Sequence, residues 1–138
     1  MVRLEEIIKR YSLVPLEKEG GYFSFLSAFG NDAGCIFYLI TKNSFSSLHA
    51  LENDEIWFFL EGGNAEQVIY ENGERSVRVL GKDSRFSLVR KNCFQATRLL
   101  DGDYALFSTV MSPRYKDSDY ITPSSLFLLS HPEAEELL

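Results

Sequence analysis

The stretch that decides the fold is "SLHALENDEIWFFLEGG", residues 47–63. It contains His49, one of two histidines in the chain, and six residues later Glu55. An apolar run follows and ends at the glycine pair 62–63. A lone histidine beside acidic residues is typical of a surface loop, so whether this stretch forms a site depends on the sequence around it.

Short strands are predicted on both sides of this stretch. Aromatic-rich runs alternate with turn signals such as Asn72-Gly73 and Asp101-Gly102, which suit tight hairpins because both positions tolerate positive φ. The predicted strands cover residues 21–29, 34–41, 45–49, 55–60, 65–71, 75–81, 86–89, 93–100 and 103–111. Many short strands at this spacing predict an all-β sandwich or barrel.

The two ends of the chain predict short helices. Apolar residues recur at helical spacing over residues 2–11, and Pro15 prevents any continuation. At the other end, Ser130 precedes Pro132 and predicts the cap of a short terminal helix. His131, beside it, is predicted to be exposed.

Composition excludes several classes of function. The 138 residues carry a formal net charge of −6 without a Lys/Arg cluster, which argues against a nucleic-acid partner. Glu5 and Glu6 interrupt the amino-terminal apolar pattern, which argues against the apolar core of a signal peptide. No apolar stretch approaches the roughly 20 residues of a membrane helix. Cys35 and Cys93 form no CxxC pair, so we expect a cytoplasmic protein with reduced thiols. One domain over residues 1–138 is predicted, with a barrel core of about 20–112.

The opening stretch resembles the first motif of the cupin superfamily, G-x5-H-x-H-x3-4-E-x6-G. His49, Glu55 and Gly62 fall in register with it. Asn43 stands for the first glycine, a mild change because asparagine tolerates a left-handed turn. Leu51 stands for the second histidine. In the second motif, G-x5-P-x-G-x2-H, the chain keeps the spacing but has glutamine at 95 where a histidine is usual.

A narrower resemblance covers roughly residues 13–120. The chain is similar to a small single-domain cupin family of unknown function, the fifth of the named cupin families. Its landmarks occur in order as Glu19-Gly20-Gly21-Tyr22-Phe23, Ser46-Ser47-Leu48-His49, Asp54-Glu55-Ile56-Trp57, Phe94-Gln95-Ala96 and "SPRYKDSDY" at 112–120. The departures are Lys18 and Arg90 for proline, and Asn92 and Arg114 for glycine. The resemblance implies a double-stranded β-helix, an epimerase-like jelly-roll barrel with a short helix at each end.

The resemblance also bears on whether the protein binds a metal ion. In the superfamily, two histidines, a glutamate and a third histidine bind a divalent transition metal. This chain offers His49, Glu55 and Gln95, and a glutamine amide is a poor ligand for such ions. We therefore expect no metal cofactor, and a metal-dependent cupin enzyme is the disfavoured alternative.

The candidate ligand-binding residues are His49, Glu55, Trp57, Gln95 and Tyr22. Strand parity places Trp57 on the same face as Glu55, and an inward Gln95 places Thr97 inward as well. An aromatic-lined barrel mouth where polar groups converge is typical of a small-molecule pocket. His49 and Glu55 are also candidate catalytic residues, since they can act as an acid–base pair.

Four interpretations of the site remain open. The first is a protein that binds a small polar metabolite, sugar-like or carboxylated. The second is a metal-independent epimerase or isomerase with His49 as base and Tyr22 or Tyr104 as acid. The third is the metal enzyme, and in the fourth His49 and Glu55 are a buried pair without a ligand.

Two segments, "CIFYLI" (35–40) and "EIWFFL" (55–60), are apolar on both faces. Such a strand must bury one face in the barrel and the other against a second layer or a second subunit. In so small a chain this pattern predicts a homodimer.

Overall fold

The structure is a computed structural model, and it describes residues 3–138. In that range two antiparallel sheets pack face to face as a jelly-roll barrel. The strands are β1 (Val14–Pro15), β2 (Tyr22–Phe29), β3 (Ala33–Thr41), β4 (Ser46–Leu51), β5 (Glu55–Gly62), β6 (Ala65–Glu71), β7 (Glu74–Leu80), β8 (Phe86–Val89), β9 (Phe94–Leu99), β10 (Tyr104–Met111) and β11 (Tyr120–Ile121). The helices are α1 (Leu4–Arg10), α2 (Ser125–Ser130) and two 3-10 segments, Asp117–Asp119 and Pro132–Leu137.

The sheets confirm the predicted all-β class. One sheet has the order β1-β2-β3-β10-β5-β8 and the other β11-β4-β9-β6-β7. Strands β2 to β10 correspond one to one with the predicted runs, and their ends differ by at most two residues. Strands β1 and β11 were not predicted, because two-residue strands leave no periodicity to detect. Residue 2 of the predicted amino-terminal helix lies outside the described residues.

Two turns owe their shape to asparagine. Asn72 and Gly73 join β6 to β7 with φ values of 53° and 79°, as expected for a tight hairpin turn. Asn92 has φ 65° just before β9, at the position where the second cupin motif has glycine. Asparagine accepts this left-handed conformation at modest cost, so the turn survives the exchange.

Aromatic and aliphatic side chains from both sheets fill the barrel. Trp57 is 1% exposed and packs edge-on against Tyr38 and Phe107, with ring centroids 5.6 and 5.3 Å away. The cluster consists of Tyr38, Ile40, Trp57, Phe59, Ala65, Ile69, Leu80, Val89, Cys93, Ala105 and Phe107. This cluster fills the interior of the barrel, and the polar residues His49, Glu55 and Gln95 are buried as well.

Helix α1 covers the outer face of β3 and β10. Ile7 packs there against Leu39 and Leu106, and all three side chains are buried. Tyr11 and Tyr104 both donate hydrogen bonds to Glu61, at 3.1 and 2.8 Å. The helix thus supplies the second layer that the apolar outer face of β3 requires.

The C-terminal segment covers the outer face of the second sheet. Ala134 and Leu137 pack with Leu48, Val68 and Tyr70. Its predicted details were partly wrong. Ser130 is the last residue of α2 rather than the cap of the terminal segment Pro132–Leu137, where His131 holds the cap position. Helix α2 has its own cap, Ser124, whose Oγ accepts a hydrogen bond from the Phe127 N–H at 3.1 Å.

His131 is half-buried and not exposed as predicted, because its ring stacks on Phe127 at 4.5 Å. Phe127 belongs to α2, a helix that the sequence did not predict.

The outer face of β5 and β8 lacks a covering element among the described residues. Phe58, Leu60 and Phe86 are 41%, 40% and 55% exposed there. Phe58 and Phe86 are cross-strand partners with ring centroids 5.8 Å apart, so they form one continuous apolar surface.

None of the helices within residues 3–138 combines the length and the apolar character that a membrane crossing requires.

Candidate functional site

A cavity of about 210 Å³ opens at the end of the barrel where β5 begins and where β4 and β10 end. Its apolar wall consists of Leu16, Phe23, Phe25, Ile36, Leu51 and Met111. Its polar lining consists of Glu19, Glu55, Thr109, Arg114, Tyr115 and Asp117. At about 30 Å³ for each molecule of liquid water, the cavity has the volume of about seven waters. It therefore suits a small ligand with one apolar side.

Glu19 reaches the cavity from the loop between β1 and β2. Gly20 and Gly21, the next two residues, have φ values of 95° and 73°. A Cβ on Gly20 would lie 2.1 Å from the Phe45 carbonyl oxygen, so only glycine lets the loop lie this close to the barrel. The Ser46 hydroxyl then donates a hydrogen bond to Glu19 Oε2 at 2.6 Å and fixes the carboxylate.

His49 lies on β4 behind Glu19 and is fully buried. Its Nδ1 donates to the Ser47 carbonyl oxygen at 2.7 Å, so the other ring nitrogen faces the site. That nitrogen, Nε2, is 3.5 Å from Glu19 Oε1, and the ring stacks on Tyr120 with centroids 5.0 Å apart. A proton on Nε2 makes an ion pair with Glu19, whereas a neutral ring turns a lone pair toward the carboxylate.

Glu55, the first residue of β5, is 8% exposed. Its Oε1 accepts a hydrogen bond from the Gln95 amide at 3.1 Å. Burial, and next the negative charge of Glu19, raise the pKa of Glu55 to about 7, although His49 and hydrogen bonds from Gln95 and Thr109 oppose the shift. The carboxyl group therefore changes charge near neutral pH.

Three buried side-chain atoms in the described part of the chain lack a hydrogen-bond partner: His49 Nε2, Gln95 Oε1 and Trp57 Nε1. Such atoms are rare in folded proteins because each loses its hydrogen bonds to water. Two of the three belong to His49 and Gln95, which contact the cavity carboxylates. A ligand bound at the carboxylates is well placed to supply the missing hydrogen bonds.

The structure brings together three of the five predicted ligand-binding residues. Glu55 lines the cavity, while His49 and Gln95 lie one step behind it and hold Glu19 and Glu55 in place. Glu19 was missed as a site residue, although it is the acid before the glycine pair in the E-G-G-Y landmark. An acidic residue followed by two glycines was the available signal.

The other predicted residues lie elsewhere. Trp57 belongs to the core cluster and not to the cavity wall, because it points inward two residues deeper than Glu55. Tyr22 lies on the opposite face of β2 from Phe23 and packs with the residues under α1. Tyr104, the alternative acid, bonds to Glu61 on that same outer side. Neither tyrosine reaches the cavity.

The donor groups do not fit a transition metal. Within residues 3–138, no group of three His, Cys, Asp or Glu side chains is close enough to hold an ion. Leu51, at the position of the second cupin histidine, gives the cavity an apolar side chain. Gln95 turns its amide donor toward Glu55, so that carboxylate oxygen already has a partner.

Two antiparallel sheets closed around a core, with a cavity at one end, define a jelly-roll barrel of the cupin type. Residues 5–122 match the model of the family described as "Cupin superfamily (DUF985)". The chain belongs to that family, as the motif resemblance predicted.

Solved structures agree on the fold. The chain is similar to a hypothetical protein from Leishmania major, with a TM-score of 0.87 at 20% identity over 99% of this chain and 96% of that one. It is also similar to a protein from Shewanella oneidensis, with a TM-score of 0.85 at 23% identity over 99% and 95% of the two chains. A third similar structure is a cupin 2 conserved barrel domain protein from Rhodopseudomonas palustris. Its TM-score is 0.69 at 14% identity, over 91% of this chain and 86% of that one. At these identities the likeness concerns the fold alone.

Among proteins of curated function, none matches this chain.

Proposed function

We propose that this protein binds a small metabolite in the cavity at the barrel end, without a metal. The observation that supports the proposal best is that two carboxylates, those of Glu19 and Glu55, line an otherwise largely apolar cavity. The apolar body of the ligand contacts Phe23, Phe25 and Leu51, and its polar end meets the carboxylates. Cavities of this kind, apolar with a few convergent polar groups, are where small ligands bind.

The apolar wall refines the class of ligand expected from the sequence. A free sugar carries hydroxyls on every side, and each buried hydroxyl without a partner costs about 1–3 kcal/mol. The six apolar side chains of the wall offer such hydroxyls no partner. A ligand with one polar end is therefore favoured over a sugar.

Metal-independent proton transfer is a second candidate function. It is favoured by the His49–Glu19 pair, whose Nε2 and Oε1 atoms lie 3.5 Å apart beside the cavity. In this version Glu19 meets the substrate and His49 acts through it. Solvent deuterium incorporation into a bound compound separates this candidate from simple binding.

A thermal-shift screen of small metabolites tests the binding proposal. A ligand present at 100 times its Kd stabilises the native state by about 2.7 kcal/mol and raises the Tm. Glu19→Ala removes a polar contact at the cavity and is expected to weaken binding by about tenfold or more. Glu17→Ala, an exposed acid two residues earlier, is the matched control and leaves binding unchanged. A broad panel without any Tm increase, or equal binding by both variants, contradicts the proposal.

We also propose that two copies of the chain associate through the outer face of β5 and β8. The same two-faced apolar pattern occurs in β3, where α1 covers it, and in β5, where Phe58 and Leu60 remain exposed. Burying this surface against a second copy removes it from water.

Phe58→Asp is expected to convert the dimer into a monomer, because it places a charge in the middle of the buried surface. Light scattering after size-exclusion chromatography measures the mass. Leu129→Asp, at a residue 79% exposed on α2, is the matched control and stays dimeric. A monomeric wild type, or a dimer that only Leu129→Asp breaks, rules out this interface.

A further inference from the structure

We propose that the ligand is an organic cation, a small primary amine with an apolar body, whose ammonium group binds between Glu19 and Glu55. This inference rests on the binding function proposed above and names its ligand class.

The charges around the cavity support a cation. Its charged lining residues are Glu19, Glu55, Asp117 and Arg114. Among the described residues Arg114 is the one cation that lines the cavity, and its guanidinium is paired with Asp32 at 3.2 Å. Asp117 accepts a hydrogen bond from the Tyr115 hydroxyl at 3.1 Å. Glu19 and Glu55 must therefore find their positive partner elsewhere.

His49 can balance one of these two carboxylates at most. When Nε2 is protonated, the imidazolium pairs with Glu19 and only partly offsets the charge of Glu55. When the ring is neutral, both carboxylates are uncompensated. In either state an ionised Glu55 makes no ion pair with the described residues, and that arrangement is costly unless the carboxyl group takes up a proton or a cationic ligand supplies the partner.

Hydrogen bonding indicates the same class. An ammonium group offers three donors and no acceptor. The polar end of the cavity has a surplus of acceptors, namely two carboxylates and, beside Glu55, the unpartnered Oε1 of Gln95, a side chain 1% exposed. His49 Nε2, fully buried, also lacks a hydrogen-bond partner in the described chain. A ligand group with several donors would satisfy the acceptors that Ser46, Gln95 and Thr109 leave free.

The cavity wall fits the rest of such a molecule. Phe23, Phe25 and Tyr115 line it, and the faces of aromatic rings attract organic cations. A ligand with a carboxylate or phosphate at this end would instead add a negative charge beside Glu19 and Glu55. With the volume of about seven waters, the cavity accommodates a body of roughly one ring.

Ammonium binding is coupled to the proton on Glu55. The groups that face Glu55 are Glu19 from the loop, His49 from β4, Gln95 from β9, Thr109 from β10 and the neutral phenol of Tyr38 from β3, whose pKa the charge of Glu55 helps to raise. Burial and the charge of Glu19 hold the pKa of Glu55 at about 7, and an adjacent ammonium favours the ionised form. Binding near pH 7 therefore releases a proton.

Three compounds with the same body test the inference: benzylamine, benzyl alcohol and benzoate. Titration calorimetry at pH 7 is expected to give the tightest binding for benzylamine, about tenfold weaker binding for the alcohol, and none for benzoate. Repeating the benzylamine titration in buffers of different ionisation enthalpy should reveal proton release, which benzyl alcohol does not cause. Straight-chain amines, alcohols and acids extend the series in case one ring is the wrong body.

Two isosteric variants locate the ammonium group. Glu19→Gln and Glu55→Gln are each expected to weaken amine binding by about tenfold while changing alcohol binding by less than about threefold. Glu17→Gln is the matched control. Should a variant fail to fold, as judged by circular dichroism, the proton-release measurement on the wild-type protein still decides.

The outcomes distinguish the two proposals. A neutral or anionic compound that binds as tightly as the matching amine overturns the cation inference and leaves the binding function in place. Amine binding without proton release, or with unchanged affinity in both glutamine variants, also overturns it. If no compound of the series or of the metabolite panel binds, the proposed function itself fails.

Discussion

Replacing Trp57 with alanine is expected to lower the free energy of unfolding by about 3–5 kcal/mol. The indole is 1% exposed and contacts Tyr38 and Phe107 edge-on at 5.6 and 5.3 Å, so its removal leaves a cavity in the middle of the barrel. Neighbouring rings cannot close that space without leaving their own packing positions. Urea unfolding followed by circular dichroism measures the loss, since the variant lacks the single tryptophan of the chain.

Phe25→Ala is the matched comparison for this prediction. Phe25 lines the ligand cavity but is 57% exposed, so its truncation is expected to cost about 1 kcal/mol of stability. Its larger effect falls on ligand binding. The opposite pattern, a Trp57→Ala protein as stable as the wild type that no longer binds ligand, would return Trp57 to the ligand-stacking role expected from the sequence.

Local signals in the sequence were enough to predict the strands, and the family resemblance then predicted the barrel. Each strand from β2 to β10 is an aromatic or β-branched run bounded by turn residues, and the Asn72-Gly73 hairpin depends on those two residues alone. The motif spacing of His49 and Glu55 then correctly placed two strands of a cupin barrel. These features depend on neighbours in the chain, so the sequence displays them directly.

Depth within the barrel was not predictable in the same way. Parity correctly put Glu55 and Trp57 on one face, but it does not say how far along the barrel each residue lies. Two residues of strand advance the chain by roughly 6.6 Å, enough to separate a cavity residue from a core residue. Glu55 therefore lines the cavity, whereas Trp57 packs in the core.

The place of Glu19 in the site depends on residues that are distant in the chain. Its contacts are with Ser46 and His49, which lie 27 and 30 residues away in the chain, and a close approach at Gly20 permits them. For the same reason the sequence did not predict which of the two strands that are apolar on both faces, β3 or β5, a helix covers. Their sequences look alike, and only the packing of α1 on β3 distinguishes them.

Glu55 is expected to make the protein less stable as the pH rises from 5 to 8. The native state holds the Glu55 proton up to a pKa of about 7, whereas the unfolded chain loses it near the ordinary value of 4.5. Between these values the native state binds more protons than the unfolded state, so the free energy of unfolding falls with rising pH and levels off above about pH 7. The part of this loss between pH 5 and 8 is about 2 to 3 kcal/mol.

Glu55→Gln isolates this contribution from the other titrating groups. The neutral amide keeps an oxygen that can accept the Gln95 hydrogen bond, and it removes the buried charge beside Glu19. The stability of the variant relative to the wild type should therefore increase by about 2 to 3 kcal/mol between pH 5 and pH 8, as measured by urea unfolding at each pH.

Glu52→Gln, at an exposed acid three residues earlier, is the control and should show a constant difference across the same range. A constant difference for Glu55→Gln as well would mean that Glu55 is already ionised at pH 5. Glu19 and Glu55 would then share the cavity as two full charges, and the carboxyl proton that amine binding is expected to release would not exist.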